Sequence, residues 1–334
     1  MAIRKPTASL SLDLDNQWSY MRTHGDAGWD SYPSYLGQVL PLCLELLAAQ
    51  RLKATIFLVG RDAQQAEHRE LLLQIPAHGH EVGNHSQSHL QWLHRLPHPE
   101  LRREIVDAED AITDATGVRP RGFRGPGFAC SAALLQILAE RGYEYDCSTF
   151  PTFVGPLARA YYFMTARKLT KQEAVERQDL FGDVRDGLRP LHSYLWNFGG
   201  MRDAAGRELP DLLEIPVTTM PGARMPIHLS YILYLAQQST WLALRYLATA
   251  LRLCAGLGIE PSILLHPLDF ISGDTCAALR FFPAMAMPAT DKRRLVSRAL
   301  GMLAERFDVV PMGEHARRLR AAGSLPRRQL DLLP

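Results

Sequence analysis

The segment A-S-L-S-L-D-L-D, residues 8–15, decides how the fold begins. Apolar residues alternate with small polar ones in it, which is typical of a β-strand, and we predict that strand over residues 8–14. The apolar-rich stretch 34–52 then predicts an amphipathic helix, and K-A-T-I-F-L-V, residues 53–59, predicts a second strand. A strand, a helix and a strand in this order predict a βαβ unit, and therefore a parallel sheet or barrel.

Helices and short strands continue to alternate along most of the chain of 334 residues. From about 150 to 213 the alternation is lost in a stretch rich in aromatic residues, Arg and Gly, which we interpret as an insertion. An apolar helical segment follows at about 225–257. We therefore predict one α/β domain spanning the whole chain, residues 1–334. Its other predicted helices are 62–78, 98–116, 131–142 and 290–306, and its other strands are 212–217, 262–266 and 307–311.

Composition excludes several classes of protein. Hydrophobic residues make up 47% of the chain and charged residues 22%, as in ordinary globular proteins, and a net charge of +2 does not indicate a nucleic-acid partner. A transmembrane helix is not predicted, because no run of about 18 apolar residues is uninterrupted. The odd number of cysteines, five, suits free thiols. With the first strand leaving no room for a secretory signal, we expect a cytoplasmic location.

Two short motifs carry side chains suited to metal binding. In H-S-Q-S-H, His85 and His89 are four residues apart, so a helical turn would place both imidazoles on one face. In D-L-D, Asp13 and Asp15 share one face at the end of the first strand, where two carboxylates repel unless a cation neutralises one. Either pair, taken alone, is also compatible with side chains that are exposed to solvent and bind no metal. Together, two histidines and a carboxylate leave positions open on a zinc-like ion, as metal-assisted hydrolysis requires.

Three further polar residues follow predicted strands. Arg124 lies in F-R-G-P-G-F, Asp146 in Y-D-C-S, and His266 in S-I-L-L-H-P. The carboxyl ends of the strands form one rim of an α/β barrel, and this rim carries the chemistry of such folds. We therefore expect these three side chains on the same rim as the aspartate and histidine pairs.

The order of these motifs resembles that of the polysaccharide deacetylases of carbohydrate esterase family 4, the NodB-homology group, from Asp13 to His266. The resemblance implies a distorted (β/α) barrel of about seven strands, NodB-like, with an insertion. It also implies that the first motif supplies the catalytic base, Asp13, and a metal ligand, Asp15. Two more metal ligands are implied at His85 and His89.

The resemblance implies roles for the later motifs as well. Arg124 would hold the base carboxylate, in an R-x-P motif that ends at Pro126. Asp146 would orient His266, the acid that protonates the leaving group. Gly127 stands where the family often has a tyrosine, and its backbone N–H would stabilise the oxyanion.

One departure concerns the first motif. The common family form has adjacent aspartates, whereas this chain has a leucine between Asp13 and Asp15. The division of labour between these two aspartates therefore stays open.

These roles imply a metal-dependent N-deacetylase that hydrolyses the amide of an N-acetylated sugar. The implied cofactor is one divalent cation, Zn²⁺ first, with Co²⁺, Ni²⁺ or Mn²⁺ as alternatives. Hydrolysis of a cyclic amide or imide on the same scaffold is a second interpretation. A third is a carbohydrate-binding protein that has lost turnover, although Asp13 and His266 argue against it, because binding needs neither a base nor an acid.

Two segments predict peripheral membrane contact. Residues 155–169, which include Arg159, Arg167 and Lys168, and residues 225–235 combine apolar and aromatic side chains with nearby basic ones. Interfacial helices have this mixture, and such contact would bring the rim to a lipid-linked glycan precursor at the inner leaflet. The alternative is that both segments pack on the barrel or in a dimer interface. The sequence leaves the oligomeric state open.

Overall fold

A computed structural model of the chain describes residues 5–157, 159 and 182–330. The strands are β1 (Thr7–Asp13), β2 (Thr55–Leu58), β3 (Glu81–Asn84), β4 (Gly122–Phe123), β5 (Tyr145–Asp146), β6 (Tyr194–Asn197), β7 (Leu212–Glu214), β8 (Ser262–Leu265), β9 (Asp308–Val310) and β10 (Arg327–Gln329). The helices are α1 (Gln17–His24), α2 (Leu36–Ala49), α3 (Gly60–Ala63), α4 (Arg69–Ala77), α5 (His98–Thr116), α6 (Ala132–Glu140), α7 (Leu229–Ala236), α8 (Thr240–Gly256), α9 (Ala289–Arg306) and α10 (Met312–Ala322). Short 3₁₀ turns connect several of them.

The strands form one sheet with the order β10-β6-β7-β5-β4-β3-β2-β1-β8, and β9 also pairs with β1. Neighbouring strands are parallel except β6 and β7, which are antiparallel. All seven residues of β1 are buried, because helices and strands cover both faces of this central strand. The predicted α/β class is confirmed.

The path from β8 through β1 to β5 and β7 contains seven strands and nearly closes into a ring. The ladder is open between β7 and β8, but two hydrogen bonds join the chain after β7 to the start of β8. The Thr218 N–H donates to the Ser262 carbonyl at 3.1 Å, and the Ser262 N–H donates to the Thr218 hydroxyl at 2.8 Å. This arrangement agrees with a distorted barrel of about seven strands, with β6 and β10 forming an outer extension.

The register of the sheet places the ends of its strands at one level. Leu12 pairs with Leu265, so Asp13 and His266 come next on adjacent strands. Asn84 pairs with Phe123, which pairs with Asp146 in turn. The carboxyl ends of β1, β3, β4, β5 and β8 therefore form one rim, as the sequence predicted.

Most predicted elements are present, with differences in two helices and in the insertion. The predicted helix 62–78 is two helices, α3 and α4. The predicted helical segment 225–257 divides into α7 and α8, because the Ser239 side chain accepts a hydrogen bond from the Leu242 N–H and caps a new helix. The insertion contributes β6 to the sheet, which the sequence did not predict. No helix within the described ranges is long and apolar enough to span a bilayer.

Candidate active site

Asp15, His85 and His89 lie together on the rim, and all three are buried. One carboxylate oxygen, Asp15 Oδ1, lies 3.2 Å from His85 Nε2 and 3.0 Å from His89 Nε2. The three atoms lie within 4.8 Å of one another. Three nitrogen and oxygen donors at this spacing could hold one metal ion.

The hydrogen bonds around this cluster favour a cation. His85 Nδ1 lies 2.7 Å from the Arg124 carbonyl oxygen, which can only accept, so Nδ1 carries the proton. The Nε2 of a neutral His85 then presents a lone pair to Asp15 Oδ1, which is buried and accepts no hydrogen bond from the described residues. A histidine whose second nitrogen donates to a carbonyl is the usual support for a metal ligand.

Electrostatics at Asp15 point the same way. Burial raises the pKa of the Asp15 carboxyl, but in the absence of a metal ion the positive charge of protonated His89 and His85 outweighs burial and holds that pKa well below its ordinary value. The carboxylate is therefore ionised at neutral pH, as a metal ligand must be.

The two histidines converge through a loop. The sequence predicted a helical turn over residues 85–89, and this prediction is wrong. Ser86 and His89 have left-handed backbone angles, with φ of 63° and 50°. The Ser86 N–H donates to Asn84 Oδ1 at 2.8 Å and the His89 N–H donates to Ser86 Oγ at 3.1 Å, so side-chain oxygens replace helical carbonyls as acceptors.

Asp13 lies beside a buried arginine. The Arg124 guanidinium donates to Asp13 Oδ1 at 2.7 Å and to Ser11 Oγ at 2.9 Å, and no part of its side chain is exposed. Burial lowers the pKa of Arg124, but the Asp13 carboxylate outweighs it and raises that pKa above its ordinary value. The predicted contact between Arg124 and Asp13 is present in the structure.

Asp146 contacts a different group from the one expected. Ser148 donates to Asp146 through its hydroxyl at 2.7 Å and its N–H at 3.1 Å, and the Gly125 N–H donates to the Ser148 hydroxyl at 2.8 Å. Asp146 is also the strand partner of Glu214. Burial and the neighbouring Glu214 raise the pKa of the Asp146 carboxyl well above its ordinary value. Through Ser148, Asp146 thus supports the loop of Arg124, Gly125 and Pro126, which we call the R-G-P loop. Its described contacts do not include His266.

The R-G-P loop continues into a turn at Pro126 and Gly127. Pro126 is buried, and Gly127 has φ of 59°, a conformation that favours glycine. A Cβ at Gly127 would also lie 3.3 Å from the Gln91 side chain. The turn itself therefore favours glycine at this position, whatever its part in binding an oxyanion.

His266, at the end of β8, contacts Ser230 and Asp269. His266 Nδ1 lies 3.0 Å from Ser230 Oγ, which donates to Asp269 Oδ1 at 2.7 Å. The His266 N–H donates to Asp269 Oδ2 at 2.8 Å. Neither partner was predicted from the sequence. The H-P-L-D run, with proline first and aspartate third in a turn, resembles a capping box and could have indicated Asp269, but no sequence signal indicated Ser230.

Comparison with known families agrees with the resemblance seen in the motifs. The sequence profile described as polysaccharide deacetylase matches residues 26–145. This segment contains His85, His89, Arg124, Pro126 and Gly127. Asp13, Asp15 and Asp146 lie near its two ends, and His266 lies far beyond it. The predicted resemblance to this family is confirmed.

Individual relatives match part of the sequence. A peptidoglycan-N-acetylglucosamine deacetylase from Bacillus cereus is 29% identical over 147 residues, which are 43% of this chain and 64% of that protein. The chain thus spans less than two thirds of this relative. A solved Mycobacterium smegmatis structure described as a polysaccharide deacetylase superposes with a TM-score of 0.60 at 18% identity, covering 98% of this chain and 95% of that one. An allantoinase structure gives a TM-score of 0.57 at 17% identity, covering 94% and 90%. At such identities both likenesses concern the fold alone.

Proposed function

We propose that this chain, which resembles the polysaccharide deacetylases, is a metal-dependent hydrolase that removes the acetyl group from an N-acetylated sugar. The observation that supports this proposal best is the cluster of Asp15, His85 and His89 beside the Arg124–Asp13 pair. It combines a set of metal ligands with a separate carboxylate that is suited to act as a base. We propose zinc as the cation, because two imidazoles, a carboxylate and open positions suit it.

The chain's own residues would carry the proton transfers. Asp13, aimed by Arg124, takes a proton from the attacking water as its oxygen bonds to the amide carbon. The Gly127 N–H donates to the developing oxyanion. His266 gives a proton to the nitrogen as the carbon–nitrogen bond breaks, so acetate and a free amine leave. A bound cation would supply Lewis-acid polarisation of the carbonyl and activation of the water.

Mass spectrometry of candidate substrates tests this proposal. Zinc-loaded protein should release acetate from an N-acetylated glycan or glycolipid, a chelator should abolish the release, and added zinc should restore it. Asp13→Asn protein is the matched control, because it retains the three ligands. The same panel contains cyclic amides and imides. Ring opening of these without acetate release, or sugar binding without turnover, would overturn the proposal in favour of the other two interpretations.

We further propose that the substrate is lipid-linked and that α7 and α8 contact the bilayer. The predicted segment 155–169 lies largely outside the described residues, although Arg159 is described and donates to the Gly182 carbonyl. Residues 225–235 pack mainly into the core, which supports the packing alternative for most of that segment. The exposed apolar side chains of this part of the chain lie mainly on α8 and directly after it instead.

The charge of this surface favours an anionic partner. Trp241 is 68% exposed, Leu242 57% and Leu257 58%. No aspartate or glutamate occurs between Glu214 and Glu260. Arginines lie among the apolar side chains, and a groove of about 360 Å³ between α8 and α9 is lined by the following residues: Thr240, Trp241, Leu244, Arg245, Ala248, Arg298 and Met302. Apolar side chains with basic neighbours suit the headgroup region of an anionic bilayer.

Two features connect this surface to the proposed reaction. Ser230, which contacts His266, lies on α7 one turn before Tyr234, so a bilayer on the surface would lie near the rim. All five cysteines are free, which suits a reducing compartment and therefore the cytoplasmic leaflet.

Co-sedimentation with phosphatidylglycerol vesicles at low salt tests the membrane contact. Wild-type protein should pellet, and Trp241→Ser with Leu242→Ser should reduce the pelleted fraction severalfold. Val184→Ser with Leu188→Ser is the matched control, because both side chains are exposed, Leu188 by 73%, and both lie outside α7 and α8. Wild-type protein that stays in the supernatant, or a Trp241→Ser, Leu242→Ser variant that only dissociates a dimer, would overturn this part of the proposal.

A further inference from the structure

His266 is held by one buried carboxylate through two routes. Asp269, 1% exposed, accepts the His266 backbone N–H at 2.8 Å with one oxygen. With its other oxygen it accepts the Ser230 hydroxyl at 2.7 Å, and that hydroxyl lies 3.0 Å from His266 Nδ1. Backbone and ring of the histidine are thus both fixed to the same side chain.

The single hydrogen of a hydroxyl determines the direction of this chain of bonds. A carboxylate can only accept, so the Ser230 hydrogen points to Asp269. The Ser230 oxygen must then accept from His266, which places the ring proton on Nδ1. Every further proton that the ring gains or loses therefore moves at Nε2, on the side of the ring away from Ser230.

The other groups around His266 leave this arrangement undisturbed. The His228 ring lies 6.0 Å from that of His266, and burial, followed by the charge of His266, lowers the pKa of His228 to about 3. His228 is therefore neutral at neutral pH. The Lys292 ammonium donates to the Leu268 carbonyl at 2.9 Å next to Asp269. Tyr20, a neighbour of both Asp15 and Asp269, also lies here, and burial raises the pKa of its hydroxyl well above its ordinary value.

We propose that Ser230 and Asp269 are the positioning residues of His266. They keep its ring in the Nδ1–H tautomer, so that Nε2 is the atom that exchanges a proton with the leaving nitrogen. This inference rests on the proposed function, in which His266 is the proton donor. It assigns to Asp269 the part that the sequence resemblance gave to Asp146, whose hydroxyl and carboxylate neighbours are Ser148 and Glu214.

Nitrogen-15 NMR of histidine-labelled, zinc-loaded protein tests the inference without substrate. The His266 signals are identified by their loss in His266→Gln protein. Wild-type and Asp146→Asn proteins should both show the Nδ1–H tautomer, Ser230→Ala should shift the population toward Nε2–H, and Ser230→Thr should restore it. If Ser230→Ala leaves the tautomer unchanged, or Asp146→Asn shifts it, the inference is wrong.

Kinetics on an active substrate give a second readout. Ser230→Ala should lower kcat at least about tenfold with KM within about twofold, since a proton-transfer group contributes 10²–10⁴-fold when well placed. Ser230→Thr should recover most of that loss, and metal content should not change. If the tautomer shifts as expected in a protein that releases no acetate, the proposed function fails while the positioning role stands.

Discussion

The two proposed parts of the candidate site, the metal side and the acid side, are built differently. On the metal side, Asp15, His85 and His89 follow two strand ends, and sequence motifs contain all three. On the acid side, His266 follows a strand, but its partners Ser230 and Asp269 lie on α7 and in the 3₁₀ turn after β8. The proposed ligands therefore lie in motifs that the sequence displays, whereas the residues that contact the proposed acid come from elements outside those motifs.

The largest expected effect separates ligands from base on the metal side. His85→Ala or His89→Ala should weaken zinc binding by at least about 100-fold, because losing even a group that supports a ligand costs 10–100-fold. Asp13→Asn should keep the zinc and lower kcat by about 10²–10⁴-fold, because it removes a base. Metal content after dialysis and steady-state kinetics measure the two effects.

The two aspartates provide the check on this assignment. Asp15→Asn should empty the site as the histidine variants do. Should Asp13→Asn empty it while Asp15→Asn leaves it full, the base and the ligand are exchanged.

The next largest effect concerns the Arg124–Asp13 ion pair, which links β1 to the segment directly after β4, and its contribution to the stability of the protein. Arg124→Gln should lower the free energy of unfolding by about 3–5 kcal/mol, because it leaves the buried Asp13 carboxylate without its partner. The double variant Asp13→Asn, Arg124→Gln should be less destabilised than Arg124→Gln, since it contains no unpaired charge. Urea denaturation of the three proteins measures this. If the free energy of unfolding of the Arg124→Gln protein lies within about 1 kcal/mol of the wild-type value, the Arg124–Asp13 pair is not needed for folding.

The smallest expected effect concerns Asp146 and tests whether its carboxyl retains a proton in the folded protein. Its pKa is raised in the folded protein, so the folded state retains a proton that the unfolded chain has lost. This contribution to stability is fully present below the ordinary pKa of an aspartate and is lost as the pH rises through the folded pKa. Asp146→Asn removes the titration, so the stability of this variant relative to wild type should increase as the pH rises from 4 to 8.

Denaturation of the two proteins across that pH range gives the measurement. Glu81→Gln is a useful comparison, because burial also raises the pKa of Glu81, on β3 and away from the R-G-P loop. A difference between wild type and Asp146→Asn that is constant with pH would contradict the raised pKa of Asp146.

Much of the fold followed from the periodicity of the sequence. The helix predicted at 98–116 is α5 residue for residue, and β1 and β8 lie within one residue of their predicted ranges. The loop at 85–89 was mispredicted because side-chain acceptors at Asn84 and Ser86, rather than residue spacing, determine its path.

The part of the site that sequence reasoning missed depends on long-range contacts. Ser230 and His266 are 36 residues apart, and an isolated serine in an apolar helix has no distinguishing pattern. The role expected for Asp146 came from motif order, which does not specify which of several rim carboxylates lies nearest to the histidine. Here Asp269, three residues after His266, occupies that place.

The junction between β7 and β8 has a consequence for motion. Separating the ring there breaks the two hydrogen bonds between Thr218 and Ser262, whereas separating β1 from β2 would break a continuous ladder. Local opening should therefore begin at this junction, and amide hydrogen exchange should be faster there than in β1. His266 follows β8 directly, so local opening of the barrel there would reach the proposed acid before it reaches the proposed metal ligands.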